Sequence, residues 1–166
     1  LTDEMQTGIH ERQQTVTARF GPSEKRTMNT LYTPDLSTPI SRPLYMTAIE
    51  AGFPSPADDY IEGRLDLNQH LIKHPAATFF VRVSGNSMID AGIFPGDILI
   101  VDRSLEAVDK KIVIAVVDGE LTVKRLRIRS GRPVLEPEND QYAPIEITPD
   151  MAFDIWGVVT NVIHKV

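Results

Sequence analysis

Two residues in this chain are of types that could together break an amide bond: Ser87 and Lys124. Ser87 lies in Ser84-Gly85-Asn86-Ser87-Met88-Ile89-Asp90, directly after the strand-like run 79–84. Gly85 permits a tight turn that would present a hydroxyl at the end of a strand. Ser, Gly and Asn are also ordinary turn residues, so the same loop reads as a plain connection unless a base reaches it. Histidine is the usual base for a serine nucleophile. Yet His10, His70, His74 and His164 fall into no triad pattern, and their spacing brings none of them to Ser87.

Lysine is the other base to consider. In Leu121-Thr122-Val123-Lys124-Arg125-Leu126-Arg127-Ile128 the side chains of a strand alternate. Lys124 then shares a face with Thr122, Leu126 and Ile128, while Arg125 and Arg127 take the opposite one. Burial among such neighbours disfavours the ammonium and lowers the pKa from about 10.4. Reaching neutrality takes about three units, or roughly 4 kcal/mol. The alternative is a lysine whose stem covers apolar residues while its ammonium reaches water.

The remaining groups point to less. His70 and His74 stand four apart as on a helix, but a zinc peptidase needs Glu directly after the first His and Leu71 stands there, so no metal site is expected. Asp90, Asp97, Asp102 and Asp118 fall at turns or strand ends, where Asp serves local hydrogen bonds. Glu136-Pro137-Glu138-Asn139-Asp140 reads as a solvated acidic loop.

The elements that must position Ser87 and Lys124 are mostly strands, expected over 78–84, 97–102, 112–117, 120–128 and about 153–164. Asp118-Gly119 joins two of them as a short hairpin, because both central positions of a type I′ turn need positive φ. Ahead of the strands, Ser55 can cap a helix with Pro56 at its first position and Tyr60, Ile61 and Leu65 on its apolar face. A second short helix begins at Asp66, with Gln69 three residues on, and ends at His74-Pro75. No internal repeat is visible. The fold class is mainly β with short helices at its entry.

Length and composition bound the rest. A chain of 166 residues suits one domain with an appendage. Residues 1–27 are polar, lack apolar periodicity and are expected to be a disordered extension; a translation start at Met28 is one reading of them. Residues 28–51 hold Pro34, Pro39 and Pro43 among Leu31, Tyr32, Leu44 and Tyr45, which predicts an extended arm. A formal net charge of -6 argues against direct DNA binding, since phosphate contacts rely on Lys and Arg. The chain has no cysteine, which excludes disulfides and thiolate chemistry. Without a bilayer-length apolar run or a signal-peptide core, a cytoplasmic location is expected.

Ala51-Gly52-Phe53-Pro54-Ser55-Pro56, the Ser84 to Asp90 segment, Gly96-Asp97 and Val117-Asp118-Gly119-Glu120-Leu121-Thr122-Val123-Lys124 resemble, in order and spacing, the motifs of the LexA and UmuD self-cleaving serine peptidase family, S24. The likeness runs from about Met28 to the C-terminus, and 53–60 is closer to the UmuD branch than to the repressors. UmuD proteins are often cut at Cys-Gly; here the pair is Ala51-Gly52, as in LexA and plasmid-borne UmuD relatives.

The resemblance implies a LexA/signal-peptidase-like β fold with a mobile N-terminal arm, Ser87 as nucleophile and Lys124 as general base, with no cofactor. It further implies a cut between Ala51 and Gly52 that removes 28–51 and leaves 52–166 as a homodimerising domain. A RecA filament on single-stranded DNA would stimulate that cut in the SOS response. The product would serve a Y-family, UmuC-like catalytic subunit as accessory subunit of a translesion polymerase of the DNA polymerase V type. Three alternatives stand beside this reading. A LexA-like repressor needs a helix-turn-helix before the cut, which the proline-bearing arm does not offer. A signal-peptidase-like enzyme needs an apolar anchor. A polymerase-binding module with unused peptidase parts differs only in whether the full chain ever shortens.

Overall fold

The computed structural model describes residues 31–32, 34, 36–45 and 61–166. The extension over 1–27, the helix expected to open at Ser55-Pro56 and the Ala51-Gly52 pair lie outside the described residues, as does His10. Ten strands are described: β1 (Leu31–Tyr32), β2 (Ser41–Tyr45), β3 (Ile61–Asp66), β4 (Thr78–Arg82), β5 (Ile98–Asp102), β6 (Ile112–Val117), β7 (Glu120–Arg129), β8 (Arg132–Glu136), β9 (Ile145–Glu146) and β10 (Phe153–Ile163). Eight form one antiparallel sheet in the order β1-β4-β5-β10-β6-β7-β8-β9, and β2 pairs with β3 separately. The chain is mainly β, as the alternating patterns and turn signals predict. No helix among the described residues is long and apolar enough to cross a membrane.

The central strands are buried on both sides. Val113 and Ala115 of β6 enter one core with Leu126, Leu135 and Val158, while Ile114 between them enters a second with Val81, Val83, Met88, Ile93, Leu99 and Val101. Alternation along a strand sends successive side chains to opposite faces. That explains why 112–117 reads as an unbroken apolar run rather than an alternating one. β10 crosses between β5 and β6 with register shifts at Ile155/Gly157 and Val159/Asn161. At Gly157 an added Cβ would lie 2.7 Å from Val101 Cγ1, so no larger residue fits without a shift of the backbone or its neighbours.

The turn between β6 and β7 is as expected: Asp118 and Gly119 both have positive φ, at 48° and 81°. Ser130 and Gly131, at 51° and 77°, repeat the device between β7 and β8. The sequence reading lacks β8, because Pro133 removes a ladder donor and reads as a break; the paired register Ile128↔Pro133 accommodates it.

Two expectations at the entry need correction. Ile61 and Leu65 belong to β3, not to a helix: the segment pairs antiparallel with β2 from Ser41↔Asp66 to Tyr45↔Ile61. A short isolated helix is marginal in water, and the β2 backbone offers ladder partners instead. The helix at Asp66 does form. Asp66 Oδ1 accepts from the backbone N–H groups of Asn68 and Gln69 at 2.9 and 3.4 Å, but α1 spans only Leu67–Leu71 and stops short of His74. A 3-10 turn, Pro75–Ala77, follows because Pro75 disfavours helix in the residue before it.

His74 and His164 serve buried carboxylates. His74 Nδ1 lies 2.6 Å from Asp102 Oδ2, and His164 Nδ1 lies 2.7 Å from Asp97 Oδ1. Burial alone would raise both carboxyl pKa values. It is outweighed at Asp97 by the Phe94 N–H and His164, and at Asp102 by Ser104 and His74, so both fall below the usual 3.8. A depressed carboxyl contributes stability that is present above its unfolded pKa and lost as pH falls through the folded one. Asp102→Asn should therefore lower Tm near pH 6, and the gap from wild type should close as pH drops below about 4. A gap that stays constant in thermal melts from pH 6 to pH 2 would contradict this account of Asp102.

Candidate active site

Beyond β4, the Val83 N–H donates to Asp97 O at 2.8 Å and the Gly96 N–H to Val83 O at 3.0 Å, which carries the ladder to the threshold of the serine turn. Gly85 then takes φ +97°, a conformation that L side chains rarely adopt. Met88 is buried in the core beside Ile93, and a 3-10 turn, Ile89–Ala91, closes at left-handed Gly92. With Met88 driven inward, its neighbour Ser87 is left at the rim of the core. Lys124 comes from β7, opposite Val113 of β6.

The fold brings these two residues together. Lys124 Nζ lies 2.8 Å from Ser87 Oγ, 2.9 Å from Thr122 Oγ1 and 3.0 Å from Val123 O. Those three acceptors match the three hydrogens of an ammonium. When the amine is neutral, its lone pair can replace the N–H that faces Ser87 and accept the hydroxyl proton. Only 7% of Lys124 is exposed, and among the described residues no carboxylate pairs with it. Burial therefore acts without a countercharge and pushes the Lys124 pKa below the ordinary 10.5. The strand-face expectation holds for Thr122 and Leu126 and fails for Ile128, which is exposed near the far end of β7, where that face leaves the core.

Beside Ser87 opens a cavity of about 90 Å³ lined by Val83, Ser84, Leu121, Thr122 and Trp156 among others. It is small, and both polar and apolar groups line it. His74 and His164, each tied to its aspartate, are engaged elsewhere.

The acidic segment after β8 is not a solvated loop. Glu136 pairs with Arg129, and Glu138 with Arg125, the neighbour of Lys124. The Glu138 N–H donates to Ser87 O at 2.8 Å, its carbonyl accepts from the Asp90 N–H at 2.9 Å, and buried Asn139 donates from Nδ2 to Asn86 O at 2.8 Å. Tyr142 OH donates to Asn86 Oδ1. Sequence reasoning missed these contacts. The one available signal is the pair of basic residues across the strand, since Arg125 and Arg127 can draw a following acidic run inward.

Comparison with known proteins adds the lineage. A peptidase S24-like family model matches residues 43–160, most of the chain. The chain belongs to the peptidase S24-like family. Protein ImpA of Escherichia coli is 52% identical over 124 residues, covering 75% of this chain and 84% of that protein. Protein MucA of Escherichia coli is 49% identical over 122 residues, 73% of this chain and 83% of its own. Protein SamA of Salmonella typhimurium is 48% identical over 123 residues, covering 74% and 85% respectively. The UmuD-like resemblance drawn from the motifs thus stands, and the S24-like span encloses the Ala51-Gly52 pair together with Ser87 and Lys124.

Proposed function

We propose that this chain is a serine endopeptidase acting on itself, with Ser87 as nucleophile, Lys124 as general base and the Ala51-Gly52 bond as substrate. The observation that carries this reading is the 2.8 Å approach of Lys124 Nζ to Ser87 Oγ at a buried position where no carboxylate among the described residues pairs with the lysine. Ser87 Oγ attacks the Ala51 carbonyl carbon while neutral Lys124 takes its proton. The tetrahedral oxyanion is met by the Ser87 N–H, which has no hydrogen-bond partner among the described residues. The resulting lysine ammonium protonates the Gly52 nitrogen as the C–N bond breaks, leaving Ala51 as an ester on Ser87. Water, deprotonated by Lys124, then hydrolyses that ester to a carboxylate and frees the serine.

Two features support the choice of substrate. The small cavity beside Ser87 suits a residue as small as Ala51 before the scissile bond. In addition, β2 and β3 pair with each other and so hold both ends of segment 46–60, in which Ala51 and Gly52 lie. Tethering of this kind replaces an encounter with a high local concentration.

In the biological setting we infer, a RecA filament on single-stranded DNA stimulates the cut during the SOS response. The product, residues 52–166, dimerises in the cytoplasm and joins a Y-family, UmuC-like polymerase subunit for error-prone translesion synthesis. To test this, the full chain is incubated with RecA, single-stranded DNA and a nucleotide analogue, and the fragments are weighed. A fragment beginning at Gly52 that accumulates faster with the filament than without it is expected. A fragment with any other N-terminus would overturn the assignment of the bond, and equal rates with and without the filament would overturn the role of RecA.

A further inference from the structure

Residues 138–142 leave β8 and run back across the serine turn. They meet it at three backbone points: the Glu138 N–H donates to Ser87 O, the Asp90 N–H donates to Glu138 O, and Asn139 Nδ2 donates to Asn86 O at 2.8 Å. Asn139 is only 7% exposed, and its other side-chain atom, Oδ1, accepts from the Gln141 N–H at 2.9 Å. Both ends of this amide are therefore committed. The Asn86 carbonyl that it holds shares one planar trans peptide with the Ser87 N–H, and the two groups point in opposite directions. A donor fixed on the carbonyl side sets the aim of the N–H on the other.

The segment is also tied to the lysine strand. β8 pairs with β7 at Arg125↔Glu136, and the Glu138 carboxylate accepts from Arg125 Nε, one residue from Lys124. Ser87 and Lys124 come from distant strands of the sheet, with β5, β10 and β6 between β4 and β7. Residues 138–139 bridge that gap through a path other than the sheet itself.

We propose that Asn139 is a positioning residue for the self-cleavage reaction: its donation to Asn86 O fixes the Asn86–Ser87 peptide and so holds Ser87 Oγ against Lys124 Nζ and the Ser87 N–H towards the developing oxyanion. The inference rests on the Ser87-Lys124 reading given above. It assigns Asn139 no contact with the reacting atoms.

Asn139→Asp and Asn139→Ala separate this role from a merely structural one. Aspartate keeps the acceptor for Gln141 but has no N–H for Asn86, so both variants should cut about a hundredfold more slowly than wild type, as expected for a small misplacement of reacting groups. In Asn139→Ala, which adds no charge, the pH at which the rate levels off should stay that of wild type, because Lys124 remains buried; a loosened site that admits water would move it upward. Self-cleavage is followed by gel densitometry across pH 7 to 10, with thermal melts in parallel. An Asn139→Asp variant that cuts like wild type would overturn the proposal, and so would a slowed Asn139→Ala variant whose profile moves to higher pH.

Crystal structures of wild type and Asn139→Asp give a reading that needs no cleavage. The variant should show the Ser87 Oγ to Lys124 Nζ separation lengthened from 2.8 Å to beyond about 3.5 Å. An unchanged separation would overturn the proposal. Absence of cutting by wild type itself would instead count against the peptidase reading, which keeps the two failures apart.

Discussion

Ser87→Ala should abolish self-cleavage and leave the fold intact. The hydroxyl is the only group removed, and the other side-chain hydroxyl that accepts from Lys124 Nζ among the described residues, Thr122 Oγ1, sits on β7 itself, two positions from Lys124. Loss of a nucleophile from such a unit costs at least about 10⁴-fold in rate. The structural cost is one hydrogen bond to Lys124, of order 1–2 kcal/mol, against the 5 kcal/mol or more that typically holds a domain together. Full-length chain should persist in the variant under conditions where wild type is consumed, with a circular-dichroism melt within a few degrees of wild type. Cutting at the wild-type rate would remove Ser87 from the mechanism and promote Thr122.

A second large effect concerns the proton on Lys124. Burial lowers its pKa from 10.5, so a greater fraction is neutral at any pH below that value than for an exposed lysine. If the neutral amine is the reacting form, unassisted cleavage should rise about tenfold per pH unit below the folded pKa and level off above it. The linkage sign separates this from unfolding. A lysine whose folded pKa lies below its unfolded one binds fewer protons in the native state, so its contribution to stability increases with pH through that window. Alkaline activation is therefore not a loosening that Lys124 itself brings about. Lys124→Ala should be inactive at every pH, and Lys124→Arg likewise, because guanidinium stays protonated. Rates from gel densitometry between about pH 7 and pH 10 check this, with circular dichroism at each point. A flat wild-type profile, or a Lys124→Arg variant that cuts at high pH, would mean that another group is the base.

The strands of the main sheet were legible where alternation, length and turn chemistry agreed. Asp118-Gly119 fixed one hairpin, and the side-chain period of two put Lys124 on the face of Leu126, inside the core. What the sequence could not supply was the meeting of distant segments. Ser87 and Lys124 are 37 positions apart, and their 2.8 Å contact depends on the order in which strands lie in the sheet, which no local pattern encodes. The same holds for Asn139, whose acidic, proline-bearing surroundings look solvated until Arg125 is seen to draw Glu138 inward. Ile61 and Leu65 misled for a related reason. Their spacing suits a helix, but the pairing with β2 is a tertiary contact that overrides it.

The most direct test of the central claim is intact-mass measurement of the pure full-length chain held at about pH 10, without RecA or DNA, beside Ser87→Ala treated identically. With Ser87 and Lys124 sufficient for the chemistry, wild type should yield a fragment whose mass places its N-terminus at Gly52, and the variant should yield none while both keep native circular dichroism. A Gly52 fragment from both chains, or from neither while wild type remains folded, would contradict the account.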